Sequence, residues 1–198
     1  MENISQVQGS AQIERVPPSI IPLKALPAVG VVFALLVAAL VTGSIWALDF
    51  FHVVGGAIWT VLDLFIGFII GPILGRLPVQ ARMEFSTRFM PKMMIIMPTV
   101  VIATLAAGFQ LALKLGNLSV AYPQHWWITA SAMVVAVMAL MAIGVLEPAN
   151  LAVLIEMRRP QPRGHVIEKL MKRFIYSAGI TGAMQIATLI LMTRIATW

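Results

Sequence analysis

Long apolar runs occupy most of this chain, and they restrict the folds that it can adopt. The run from Leu26 to Leu74 is nearly unbroken, and three more lie in 93–113, 126–146 and 174–195. A membrane-spanning helix needs about 20 mainly apolar residues. Only 11% of the residues are charged, against roughly a quarter in soluble domains. The sequence therefore predicts an all-α, polytopic transmembrane helical bundle, in contact with a lipid bilayer.

Five transmembrane helices fit residues 27–198. Their predicted bounds are 27–45, 50–74, 93–113, 126–146 (with the alternative that this helix runs on to 155) and 174–195. The first run is split because it greatly exceeds one bilayer crossing, and Thr42-Gly43-Ser44 through Asp49 offers the turn. Residues 1–26 are polar and lack the positive start and apolar core of a signal peptide. We expect them to form a short tail that does not insert.

Basic residues are distributed very unevenly between the two predicted sides of the membrane. Twelve fall in the tail, the second loop and the fourth loop, and two fall on the other side, Lys114 and Arg194. The positive-inside rule then predicts a cytoplasmic N-terminus, in the cytoplasmic (inner) membrane. Topology thus accounts for the net charge of +6. Nucleic-acid binding is disfavoured, because no platform of stacking aromatics accompanies the bases.

A polar stripe crosses the second predicted helix. Asp49, His52, Gly56, Trp59 and Asp63 follow one another at spacings of 3, 4, 3 and 4, which places them on one helical face. Ionisable side chains are costly in lipid and usually face the protein interior or a cavity. The stripe is therefore the first candidate for a functional face.

Two histidines are candidate ligands of a metal or a haem iron. His52 and His125 are predicted at similar depth near the outer surface, on different helices. Two imidazoles can hold haem, copper or zinc within a bundle, and Asp49 could orient one of them. The alternative is that both are interfacial residues. His165 is predicted to face solvent, and the absence of cysteine excludes thiolate zinc sites and iron–sulfur clusters.

Two acidic residues lie within the predicted spans. Asp63 falls near mid-membrane, and Glu147 precedes Pro148 near the inner end of the fourth helix. Both are candidates for a proton path, since intramembrane carboxylates mark such routes. The alternatives are a counter-charge role for Asp63 and, for Glu147, a bond to the backbone that Pro148 frees.

A methionine cluster and a glycine ridge complete the set of candidates. Met90, Met93 and Met97 share a face, and thioethers suit Cu(I), although methionine also fills gaps in cores. Gly67, Gly71 and Gly75 recur every four residues, which permits close approach of a neighbouring helix or of a partner subunit.

Two segments resemble a known group. FHVVGGAIWTVLDLFIG, with a His at the helix start, a small residue one turn later and a Trp seven positions on, resembles the histidine helix of the CopD-type copper-resistance and HemJ-type protoporphyrinogen oxidase superfamily. The residues concerned are His52, Gly56 and Trp59. FMPKMMIIMPTVVIATLAAG is similar to a second helix of the HemJ type, through Met90, Lys92, Ile95, Pro98, Thr104 and Gly108.

This resemblance implies haem b, or copper, held through His52, and electron transfer with quinone or with other membrane subunits. Lys92 matches the basic residue of that pattern, but the predicted topology places it on the opposite side of the membrane from His52. The leading hypothesis is redox or haem/copper handling, with no catalytic residue assigned. The alternatives are a cofactor-free subunit that docks a partner through the glycine ridge and a copper permease that uses the methionines.

Overall fold

The first apolar run is divided at Gly43, where the sequence predicted a turn. Gly43 adopts a left-handed backbone with φ of 64° and closes the first helix. Ser44 caps the second, accepting a hydrogen bond from the amide of Ala47 at 3.4 Å. A side chain is disfavoured at that φ, and a Cβ there would lie 2.6 Å from Nζ of Lys114. The predicted split into two helices is confirmed.

The computed structural model describes residues 20–197. In that range the chain is all-α, and five helices are long and apolar enough to cross a membrane. They are α1 (Leu23–Thr42), α2 (Ile45–Arg76), α3 (Val79–Lys114), α4 (Gln124–Met157) and α5 (Gly164–Ala196). The predicted tail lies mostly outside the described residues, and its last four residues, 23–26, already belong to α1.

Several helix bounds predicted from hydropathy were wrong. α2 begins at Ile45 instead of 50, α3 at Val79 instead of 93 and α5 at Gly164 instead of 174. α4 continues to Met157, beyond the longer alternative. The physical reason is that charged side chains end an apolar run without ending a helix. Most of these charged side chains are exposed on α3 and α5, and Arg82 and Glu168 are half-buried, while Ser86 and Met171 face inward from the same segments.

The longest helices extend beyond the apolar layer. α3 has 36 residues, which is about 54 Å at 1.5 Å per residue, against a hydrocarbon core of about 30 Å. The α2–α3 and α4–α5 connections lie at one end of the bundle, which we call the basic end. The α1–α2 and α3–α4 connections lie at the other, which we call the far end.

Prolines coincide with wider turns in α2 and α4. A π-helical segment at Phe65–Ile70 precedes Pro72, and another at Ala142–Leu146 precedes Pro148. A proline cannot donate to the carbonyl four residues earlier, and its ring clashes with that carbonyl, which favours a wider turn. Both π-helical segments pack against α5.

α2 lies at the centre of the packing. It contacts α3 most extensively and also contacts α5 and α1, while α4 packs on α5 and, through its C-terminal part, on α3. α1 is peripheral, with 11% of its most apolar window buried. The stripe of α2 is thus flanked by α3 and α5.

Candidate functional site

The polar stripe of α2 meets two different neighbours. Asp49 is exposed, His52 and Gly56 are half-buried, and Trp59 and Asp63 are buried. His52 is bonded to α3, whereas Asp63 is bonded to α5. We call His52 with Thr104 and Gly108 the histidine site, and Asp63 with Thr60, Thr181 and Gln185 the carboxyl cluster.

The imidazole of His52 is held by a backbone carbonyl. Its Nδ1 lies 3.1 Å from the carbonyl oxygen of Thr104. A carbonyl only accepts hydrogen bonds, so this contact puts the ring proton on Nδ1 and leaves the lone pair of Nε2 free. Asp49, which the sequence suggested as the orienting group, makes no side-chain hydrogen bond to any described residue. The backbone of α3 takes that role.

Two glycines, Gly108 and Gly55, leave the space that the His52 imidazole and the Thr104 side chain occupy. A Cβ on Gly108 would lie 2.6 Å from Cε1 of His52, and a Cβ on Gly55 would collide with the Thr104 side chain. Gly56 differs, because a Cβ there would lie 3.7 Å from Thr104 Cγ2, an ordinary contact. The ring therefore requires glycine at 108, whereas the family-pattern residue Gly56 does not crowd it.

The other predicted ligand is not brought to His52. His125 is exposed and lies on the part of α4 that packs against α5, whereas the part of α2 that carries His52 packs mainly against α3. Within residues 20–197, no group of three or more His, Asp or Glu side chains is arranged to hold a metal ion. His52 and His125 thus pack against different helices. His165 is exposed, as predicted.

Lys92 is remote from the histidine site. It is exposed on α3, twelve residues before Thr104, which corresponds to about 18 Å along the helix axis. Lys92 and His52 therefore cannot bind the same metal ion.

The carboxyl cluster joins α2 to α5 in the interior. Asp63 is fully buried, and its Oδ2 accepts a hydrogen bond from Nε2 of Gln185 at 3.4 Å. Oε1 of Gln185 accepts in turn from the hydroxyl of Thr60 at 2.6 Å, and Thr181 and Trp59 lie beside the carboxyl group. Oδ1 of Asp63 is buried without a hydrogen-bond partner among the described residues.

Sequence reasoning missed the neutral members of this cluster. Thr60, Thr181 and Gln185 are all less than 8% exposed, in helices where apolar residues would be expected to fill such positions. Ionisable residues stand out in such a sequence and neutral polar ones do not, but a glutamine in an apolar helix was the signal that pointed to a partner for Asp63.

Glu147 and the methionines lie elsewhere. Glu147 is half-buried at the end of the second π-helical segment, and its side chain makes no hydrogen bond within the described part of the chain.

The methionines Met90, Met93 and Met97 are buried in the main apolar core. Asn150, fully buried, donates to the carbonyl of Met90 at 3.2 Å and accepts from the amide of Met94 at 3.1 Å, in the amide orientation that satisfies both groups.

The glycine ridge of α2 is largely covered by α5. A Cβ on Gly67 would collide with the backbone of Gly179, and one on Gly71 would lie 2.5 Å from Cγ2 of Ile175. Only at Gly75 would a Cβ meet nothing within 4 Å. The ridge is an intramolecular packing seam, so most of it is not free to dock a partner.

A buried acid organises the basic end. Glu156 accepts hydrogen bonds from Nε and Nη2 of Arg163 at 2.8 and 3.0 Å and from the Arg163 amide at 3.2 Å. Nε of Arg159 lies 3.0 Å from Oε2. Bonding to Glu156 raises the pKa of Arg163. These contacts close the turn between α4 and α5.

Comparison of the chain with protein-family models, with curated proteins and with solved structures gives no significant match.

Proposed function

We propose that this chain is an integral membrane protein that binds haem b through Nε2 of His52 and acts in redox chemistry or in haem/copper handling. The observation that carries the proposal is the contact of His52 Nδ1 with the Thr104 carbonyl. Ligating histidines typically donate from the other ring nitrogen in this way, which fixes the tautomer and the ring orientation. Bound haem b supplies reversible one-electron chemistry, and copper is the alternative occupant of the same nitrogen.

The charge distribution supports an orientation for this site. The basic end carries most of the Lys and Arg residues, so we place it in the cytoplasm and assign the protein to the cytoplasmic membrane. His52 then lies near the outer surface, where quinone or a partner subunit is the electron partner. A reporter fused after Lys114 should read as non-cytoplasmic, and a cytoplasmic reading would invert this placement.

We expect Gly108→Ala to weaken haem binding by about 10- to 100-fold, the usual effect of disturbing a group that orients a ligand. The added Cβ displaces the imidazole and thereby breaks the Nδ1 contact with Thr104. The measurement is a titration of haem b into the purified protein, followed by its absorption.

Gly56→Ala is the matched control, because it adds the same methyl group one turn from His52 at an ordinary contact distance. Its haem affinity should stay within about twofold of the wild type, well under 1 kcal/mol. Equal haem affinities for Gly108→Ala and Gly56→Ala would contradict the packing of the His52 ring against Gly108.

A specific observation favours a second candidate function, the handling of protons or monovalent cations at Asp63. Its Oδ1 is buried without a donor, although buried polar atoms in proteins are nearly always hydrogen-bonded. Ionisable residues in membrane interiors mark proton and ion pathways. Asp63 would be the binding group in this function, and Gln185 would position it.

We expect Asp63→Asn to be at least as stable as the wild type, and more stable by about 1–2 kcal/mol, because a neutral amide costs less to bury than a carboxylate and its oxygen can still accept from Gln185. Thermal unfolding of the purified protein measures this difference. Thr60→Val, which removes the donor to Gln185, should instead lower stability by about 1 kcal/mol. A clear loss of stability in Asp63→Asn would show that Asp63 is a structural residue.

A further inference from the structure

A cavity of about 280 Å³ opens at the basic end, between α2, α3 and α5. All three glycines of the ridge line one wall of it, Gly67, Gly71 and Gly75, and of these only Gly75 is left uncovered by α5. The opposite walls come from the N-terminal parts of α3 and α5, including Met83 and Ile175. Nothing in the histidine site or the carboxyl cluster reaches it.

The rim of this cavity is charged, whereas its floor is apolar. Arg82, Glu168, Lys172 and Tyr176 are its polar lining residues other than Ser86. Nη1 of Arg82 and Nζ of Lys172 each lie 3.0 Å from the same oxygen, Oε1 of Glu168. Two cations thus share one carboxylate, which leaves a net charge of +1 at the rim.

Arg82 is held in position for a ligand. Its Nε donates to the carbonyl of Leu77 at 2.9 Å, and its side chain is 23% exposed. Nη2 of Arg82 makes no hydrogen bond to a described residue, and Lys172 has protons left over beyond its contact with Glu168. Both cations therefore have donors available for an anion. A guanidinium with spare donors in a fixed plane is well suited to phosphate oxygens.

The depth of the cavity indicates where its ligand comes from. It lies at the C-terminal end of α2, where the apolar span gives way to Arg76 and to the exposed Lys169 and Arg173. Phosphate groups of the bilayer lie at this level, and basic pockets between transmembrane helices bind anionic head groups. A soluble phosphate has no apolar part to bury in the groove below the cations, whereas an acyl chain does.

We propose that this cavity binds an anionic phospholipid, with the phosphate at Arg82 and Lys172 and an acyl chain along Gly71, Gly75 and Ile175. Glu168 holds the two cations together at the rim. The lipid fills the part of the glycine ridge that α5 leaves open.

Native mass spectrometry of the purified full chain tests this site, with dioleoyl phosphatidylglycerol and dioleoyl phosphatidylcholine as probes. We expect the wild type to retain phosphatidylglycerol about tenfold better, the factor that corresponds to about 1.4 kcal/mol, since each nearby cation is worth about 1 kcal/mol and Glu168 offsets part of that. Arg82→Gln with Lys172→Gln should reduce this preference to about twofold or less.

Two further variants keep the test decisive. Arg88→Gln with Lys169→Gln removes two exposed cations that do not line the cavity and should leave the preference intact. Gly75→Leu fills the open groove without touching the charges and should lower binding of both lipids. The proposal is overturned if the control pair lowers phosphatidylglycerol binding as much as the cavity pair does, or if Gly75→Leu binds both lipids like the wild type.

Discussion

Gly67→Ala should destabilise the folded protein by about 3 kcal/mol, the upper end of the cost of overpacking. The added Cβ would collide with the Cα of Gly179 and would lie 2.7 Å from its amide nitrogen. Both atoms are backbone, so α2 and α5 must separate to make room, and the seam that joins them is disturbed along its length. The measurement is thermal or denaturant-induced unfolding of the purified protein in detergent.

Gly75→Ala provides the control on the same face of the same helix. Its Cβ meets nothing within 4 Å, and alanine favours a helix over glycine by about 1 kcal/mol. This variant should therefore be as stable as the wild type or slightly more stable. If the two alanine variants lost stability equally, the close contact between Gly67 and Gly179 would be contradicted.

Glu156→Ala should be the second most damaging change to stability, with a loss clearly larger than that from breaking an exposed ion pair. It removes a nearly buried carboxylate that three donors of Arg163 and one of Arg159 approach within 3.2 Å. Removing one partner of a charge pair leaves the other charge uncompensated, and the loss is moderated here because both arginines are about half exposed. Unfolding measurements on the full chain give the difference directly.

Glu84→Ala is the matched comparison for Glu156→Ala. Glu84 pairs with Arg88 at 2.8 Å on the surface of α3, with both side chains largely exposed. An exposed pair of this kind is worth about 0.5 kcal/mol. A Glu156→Ala protein no less stable than Glu84→Ala would mean that the turn between α4 and α5 does not depend on this acid.

The helical bundle could be predicted from the sequence, because apolar runs long enough to span a bilayer restrict a chain to few folds. The break at Gly43 was also predictable, since glycine and serine favour a helix end and a helix start. The true starts of α3 and α5 could not be predicted, because a hydropathy profile detects where an apolar span ends and not where the helix ends.

The partners of the candidate residues were harder to predict. His52 was singled out, but it bonds a backbone carbonyl at Thr104, and no residue type signals such a contact. Asp63 was also singled out, whereas Gln185 lies 122 positions away and carries no charge that would draw attention to it. Asn150 escaped notice for the same reason, although it contacts the backbone of α3 beside Met90 and Met94.

The visible absorption spectrum of the purified protein, alone and after addition of haem b, tests the proposed function most directly. We expect a Soret band that saturates at one haem per chain, is abolished in His52→Ala and persists in His125→Ala and His165→Ala. Circular dichroism must show that the His52→Ala protein keeps its helices. A fully folded wild type that takes up no haem, or a Soret band unchanged in His52→Ala, would contradict His52 as the haem ligand.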